Sequence, residues 1–255
     1  MKLDELIEGL KRLRLNAMAR DFAVISTESE KLNRSYEQHL AALVEYELTD
    51  KNFLRREKLI KEAKIPLVKL VCDFDYSKRK GISPAEVSRL CTGDFLKNGT
   101  NIVFYGSFGV GKSHLAMAIA RELCQRDYRC LFTSTAALIN DLCVAQSNLT
   151  LSALFRKFER YDLIILDELG YTPQTREGTD LFFQFISERY ERKSLMITTN
   201  LPYSDWNRVF ISEATTAAAV DRIVHRCETY NISGPSKRAE DAKSRSMTFD
   251  QDIGI

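Results

Sequence analysis

The stretch Asn101-Ile102-Val103-Phe104-Tyr105-Gly106-Ser107-Phe108-Gly109-Val110-Gly111-Lys112-Ser113-His114-Leu115-Ala116 passes from a short apolar strand through a glycine loop into a helix. Residues Gly106 to Ser113 match GxxxxGK[ST] in full, in the strand–loop–helix frame that a phosphate-binding loop requires. Each residue type has a chemical reason. Glycine lets the backbone close around phosphate oxygens where a Cβ would clash. The start of the following helix adds unpaired N–H groups and a favourable dipole. Lys112 supplies positive charge to the β- and γ-phosphates, and the Ser113 hydroxyl ligates Mg²⁺. The expected ligands are therefore ATP and Mg²⁺, with Gly106, Ser107, Phe108, Gly109, Val110, Gly111, Lys112 and Ser113 forming the cradle.

Downstream, strands and helices alternate. Arg129–Thr133, Tyr161–Leu166, Ser194–Thr198 and Glu228–Ile232 read as strands, and Lys112–Arg126, Ala136–Gln146, Leu151–Arg160, Thr179–Arg192 and Glu213–Arg226 as helices. With the strand before the loop, this predicts an α/β fold, a parallel five-stranded sheet between helices. The third of these strands ends in Asp167-Glu168. Asp167 is placed to hold Mg²⁺ opposite Ser113, and Glu168 to orient or deprotonate the attacking water. The strand Leu195-Met196-Ile197-Thr198-Thr199 ends in Asn200, whose amide could bond the water and the γ-phosphate; a turn-forming asparagine is the other reading.

Upstream, residues 1–64 read as helix. Leu3, Leu6, Leu10, Leu13 and Ala17 mark one apolar face, and a second helix from Ser35 carries Leu40, Leu43, Tyr46, Phe53, Leu54 and Ile60. No glycine falls between Gly9 and Gly81, and Pro66 closes the region. Pro66, Gly81, Pro84, Gly93 and Gly99 break residues 65–100 into short pieces. The expected organisation is a helical N-terminal domain (1–66), a linker packed on the core (67–100) and the ATPase domain (101–255).

The 255 residues carry a formal net charge of +2, so any nucleic-acid contact must come from local patches. Such patches occur at Lys11, Arg12, Arg14 and Arg20, at Arg55, Arg56, Lys58, Lys61 and Lys64, and at Lys78, Arg79 and Lys80. Each is also what a solvated helix face looks like. No apolar run approaches the ~20 residues of a membrane span, and the charged start is not a secretory signal. The six cysteines form no CxxC pair, which points to buried thiols in a cytoplasmic protein.

The phrases GSFGVGKSHLA, YDLIILDELGY, MITTNLPYSDW and AVDRIVHRCETYNISGPSKR, in that order, resemble the IstB/DnaC branch of AAA+ ATPases. The N-terminal LRLNAMAR and DFDYSKRKGI extend the likeness, on the IstB side, over nearly the whole chain. The resemblance implies an AAA+ P-loop domain and a homo-oligomeric ring or spiral with ATP at the subunit interface. It further implies duplex DNA, held mainly through its backbone, and a cognate transposase as partners. It implies that Arg222, in the phrase DRI, is an arginine finger reaching a neighbour's ATP, with Arg226 as the rival. It also implies that Arg238 contacts the nucleotide of its own subunit, although Lys237 stands where the family often has an aromatic residue. A replicative helicase loader similar to DnaC is the alternative function, and a small-metabolite kinase the reading from another class.

Overall fold

The structure is a computed structural model that describes residues 2–170, 175–210, 212–237 and 239. Three helices come first, α1 (Leu3–Arg12), α2 (Asn16–Lys31) and α3 (Tyr36–Glu62). The first apolar series does not run through one helix. Arg14 adopts a left-handed φ of +59°, and the N–H groups of Leu13 and Leu15 return to the carbonyls of Gly9 and Leu10, which closes α1. Leu10 and Ala17 therefore lie on different helices.

The chain forms two compact units, residues 1–58 and 59–255. The division falls within α3, whose last turns bury Leu59 in the core of the second unit, with Ala63 just beyond. The first unit has a thin core of Met18, Ile25 and Leu43, edged by Leu10, Leu15, Phe22 and Ala42. Its buried Glu47 accepts the N–H of Met18 at 2.9 Å, satisfying a free donor at the start of α2. Leu40, Phe53 and Leu54, expected on the apolar face, are instead exposed.

The second unit continues with α4 (Pro84–Thr92), α5 (Asp94–Lys97), β1 (Asn101–Tyr105), α6 (Lys112–Gln125), β2 (Cys130–Ser134), α7 (Thr135–Ser147) and α8 (Leu151–Glu159). It ends with β3 (Leu163–Leu169), α9 (Arg176–Arg189), β4 (Ser194–Thr199), α10 (Glu213–Val224) and β5 (Cys227–Asn231). The strands pair in parallel in the order β2-β3-β4-β1-β5. Alternation of side chains sends Ile102, Phe104, Leu163, Ile165 and Met196 to the face covered by α4 and α6. Val103, Ile164, Leu166, Leu195 and Ile197 face the other way, into a core shared with α7, α9 and α10. Both faces are covered, which is why these strands read as continuous apolar runs.

Helix α4 lies where short linker pieces were expected. Ser83 accepts the N–H of Glu86 while the Glu86 carboxylate accepts the N–H of Ser83 at 2.7 Å, and Pro84 occupies the first turn. Gly93 ends the helix at φ +81°. The start of β3 and β4 is tied by Arg189 at the end of α9, which donates to the carbonyls of Phe158, Tyr161 and Ser194. Desolvation pushes its pKa down to about 9, so those carbonyls are what keep a guanidinium there.

Arg189→Met should therefore remove the charged donor from three carbonyls, of which that of Phe158 keeps the Tyr161 N–H at 3.1 Å, and cost about 2 kcal/mol or more in urea unfolding; a loss below about 1 kcal/mol would show that the carbonyls find other partners.

Candidate functional site

Helix α6 starts directly from the glycine loop, and its first residues point at the ends of β3 and β4. Gly106, Gly109 and Gly111 have φ of +150°, +75° and +101°, values that side-chain-bearing residues rarely adopt. Neighbouring chain enforces the same choice. A Cβ on Gly106 would lie 2.0 Å from the Ile232 carbonyl oxygen, one on Gly109 2.1 Å from Ser236 Oγ, and one on Gly111 2.6 Å from the Phe74 ring. Val110 is wholly buried, so its side chain anchors the loop in the core and leaves only its backbone for a ligand. Phe108 projects from the loop with more than half its surface exposed.

Lys112 Nζ donates to the carbonyls of Gly106 at 2.8 Å and Ser107 at 2.7 Å, which holds the ammonium over the loop. Ser113 Oγ donates to Asp167 Oδ1 at 2.7 Å. Strand β3 does not stop at Leu166 but runs through Asp167 and Glu168 to Leu169, with a register shift against β4. Glu168 sits there at φ +59° with its side chain exposed.

A cavity of about 490 Å³ gathers these groups; Gly109, Gly111, Lys112, Ser113, Glu168 and Asn200 all line it. Asp167 adjoins it through Ser113. A further wall comes from the segment expected as a linker packed on the core, with Leu67, Val68 and Phe74. Phe74 packs edge-on against Tyr76 and His114, and His114 Nε2 lies 2.9 Å from the Leu70 carbonyl oxygen. Burial raises the Tyr76 phenol above its ordinary pKa. Two aromatics in Asp73-Phe74-Asp75-Tyr76, just ahead of the capping pattern at Ser83, were the available signal for this wall. Arg79 belongs to it as well. Expected in a basic surface patch, it is only 4% exposed, lines the cavity, and stacks 5.7 Å from the centre of the Phe74 ring.

Arg222 does not line this cavity. Its guanidinium lies 4.5 Å over the Phe183 ring and donates to Ser187 Oγ, both on α9. The rival Arg226 donates to the Asn98 carbonyl at 3.2 Å and lies near Glu191. Arg238 is outside the described residues. Its neighbour Lys237 lines the cavity and donates its N–H to the Gly109 carbonyl at 2.9 Å.

The residues fit ATP and Mg²⁺. The cradle is one that a Cβ would fill, and the wall of Leu67, Val68 and Phe74 is apolar, as a base requires. Ser113 and Asp167 offer two hard oxygens, and among the described residues no cluster of three or more His, Cys, Asp or Glu stands ready as a cage. That is the donor set for a cation that keeps several waters and shares phosphate oxygens.

Residues 8–246 match the family described as IstB-like ATP binding protein. The chain belongs to that family. A Sinorhizobium fredii insertion-sequence ATP-binding protein is 40% identical over 80% of this chain and 68% of its own length. The ATP-binding protein named for insertion sequence IS21 in Pseudomonas aeruginosa is 30% identical over 96% of this chain and 92% of its own. Among solved structures, DnaI superposes with a TM-score of 0.55 at 24% identity, covering 69% of this chain and 93% of that one. The DnaC helicase loader gives 0.51 at 23%, covering 59% and 88%. These likenesses show the fold, that of an AAA+ P-loop domain. This IstB-like chain thus pairs an AAA+ core with a preceding helical unit.

Lys112→Ala removes the one side-chain cation that the loop carries, and calorimetric titration should show tight ATP binding abolished. Unchanged affinity would place the phosphates elsewhere.

Proposed function

We propose that this IstB-like protein is a Mg²⁺-dependent ATPase that assembles on duplex DNA and recruits or activates a transposase there. One observation carries the ATPase reading: Lys112, Ser113, Glu168 and Asn200, from three separate strand ends, line one cavity. In the hydrolytic step the oxygen of water bonds to the γ-phosphorus, the bridging oxygen leaves with ADP, and Glu168 takes the water's proton. Asn200 orients that water by hydrogen bonding. Lys112 exchanges its two loop carbonyls for phosphate oxygens, which hold an ammonium more strongly. Ser113 and Asp167 would hold Mg²⁺, which would supply charge neutralisation at the phosphates.

The position of Arg222 supports sharing of the site between subunits. It sits outside its own subunit's cavity, on the ring of Phe183 and the Ser187 hydroxyl, contacts that a guanidinium can leave for a neighbour's phosphate.

For DNA, Lys11 pairs with Glu8, and Arg20 is engaged by Asp21, Asp50 and Tyr46 on its own unit. Arg12 and Arg14 are exposed and are the preferred phosphate contacts, with the exposed Arg55, Arg56 and Lys58 of α3 as further cations on the same unit. One modest patch repeated around an assembly forms a track that reads backbone and not sequence. Transposition is preferred to helicase loading because relatives aligned along most of the chain carry insertion-sequence names, whereas the loader likeness is one of fold. No helix among the described residues is long and apolar enough to cross a membrane, and the reading places the protein in the cytoplasm.

Glu168→Gln should bind ATP normally, hydrolyse it at least ~10²-fold more slowly, and accumulate on DNA. Wild-type turnover in that variant would assign the water to another residue. DNA affinity should fall steeply with salt and vary little with sequence; a short site preferred even at high salt would mean base readout.

Mixing tests the shared site. Arg222→Ala and Lys112→Ala should each be inactive alone, the first losing ~10³-fold or more in turnover. Co-assembled, they should regain part of the activity, because a sound finger then meets a sound loop. Co-assembly without recovery would put Arg222 in its own subunit's site or in structure alone, and Arg226→Ala in the same mixture tells the two arginines apart.

A further inference from the structure

Strand β3 carries one residue more than β4 at the place where the chemistry is. Leu166 pairs with Ile197 and Leu169 pairs with Thr199, so Asp167 and Glu168 together face the single residue Thr198. This is a β-bulge, and it turns the side chain after Asp167 out of the alternation it would otherwise follow. Without the extra residue, Asp167 and Glu168 would point to opposite faces of the sheet. With it, Glu168 lines the same cavity as Ser113, the hydroxyl bonded to Asp167.

The bulge has two costs. Glu168 holds a left-handed φ that L-residues avoid by ~1–2 kcal/mol, and the main-chain ladder loses its regular partners between Leu166 and Leu169. Conformations of this kind persist only where surrounding groups over-determine them. Two buried threonines do so here. Thr198, 1% exposed, accepts the Glu168 N–H at 3.0 Å and donates its own proton to Asp167 Oδ1 at 2.5 Å. A hydroxyl has a single proton, so the direction of both bonds is determined: Asp167 is the acceptor and Glu168 N–H the donor. Thr199, 2% exposed, donates to the Leu169 carbonyl at 2.9 Å and accepts the Leu201 N–H at 3.0 Å, closing the far side of the bulge and the turn after Asn200.

We propose that Thr198, supported by Thr199, is a positioning residue for hydrolysis: its hydroxyl locks the bulge that aims Glu168 into the cavity while steadying the Asp167 carboxylate beside it. The inference rests on the reading of Glu168 as the group that takes the proton from water. It also separates two roles in Thr198-Thr199-Asn200, all of which line the cavity: the threonine hydroxyls are engaged by β3 and the following turn, while the Asn200 amide is left for the ligand.

The test compares Thr198→Val, which keeps the shape and loses the hydroxyl, with Thr198→Ser, which keeps the hydroxyl. In full-length protein, valine should lower kcat ~10²-fold and leave KM for ATP within about twofold, since the loop is untouched. Serine should stay within about fivefold of wild type in kcat, because it fills both hydrogen-bonding roles. Hydrogen exchange gives a readout apart from turnover: the Glu168 amide should exchange faster in the valine variant and at the wild-type rate in the serine variant. Thr198→Cys, with a weak donor and acceptor, should follow valine and stands in for it should valine not fold. Wild-type kcat in the valine variant, or an equal fall in serine and valine, would overturn the proposal. Glu168→Gln run in parallel keeps the two claims apart. Wild-type turnover there refutes the role of Glu168, while the exchange rates still decide whether Thr198 holds the bulge.

Discussion

Asp167 Oδ1 accepts the hydroxyl of Ser113 at 2.7 Å and that of Thr198 at 2.5 Å, and these two bonds join the first turn of α6 to the ends of β3 and β4. A carboxylate is an acceptor only, so both hydroxyls must donate to it, and both donors come from elements that bury their apolar faces elsewhere. Hydrogen bonds to a charged group are worth about 1.5–3 kcal/mol each, more than neutral ones. The sheet order sets β4 between β3 and β1, so the loop that follows β1 stands over the strand ends that carry Glu168 and Asn200. On the proposed reading, Ser113 and Asp167 of this cluster would also supply the hard oxygens for Mg²⁺ when nucleotide enters.

Packing behind the loop matters as much as the motif itself. The Ile232 N–H returns to the Tyr105 carbonyl at 2.7 Å, Ser233 exchanges backbone bonds with Lys80, and Lys237 N–H reaches the Gly109 carbonyl. Gly81 sits at φ +96°, where a Cβ would fall 1.8 Å from the Asn231 carbonyl oxygen. The segment before α4 and the segment after β5 therefore meet each other and the loop. Nucleotide in the cavity would touch both, through Leu67, Val68 and Arg79 on one side and Lys237 on the other. This gives a physical route by which phosphate occupancy could be felt beyond the sheet.

The α/β core was legible because its central strands β1, β3 and β4 are buried on both faces and each glycine of the loop has a steric reason. Asp167, Glu168 and Asn200 were legible for the same cause, as polar residues ending apolar runs. The bulge was not, since no side-chain pattern distinguishes a strand that stops at Leu166 from one that continues to Leu169 with an extra residue. Thr198 passed as an ordinary β-branched strand residue, although its hydroxyl bridges two site residues. Arg79 was misplaced because a triplet of basic residues looks the same whether or not one of them turns inward over a phenylalanine. In the helical unit, periodicity alone overran the break at Arg14 and overestimated burial at Leu40, Phe53 and Leu54, where nothing in the short core reaches them.

The loop, Asp167 and Glu168 are proposed to act on one triphosphate in this cavity, and a crystal structure of the protein with Mg²⁺ and a non-hydrolysable ATP analogue is the decisive measurement. Lys112 Nζ should have moved from the Gly106 and Ser107 carbonyls to the β- and γ-phosphates, Ser113 Oγ should have turned from Asp167 to the cation, and the base should lie against Leu67, Val68 and Phe74. A nucleotide bound elsewhere, or one in the cavity with Lys112 and Ser113 still on their present partners, would contradict the proposal.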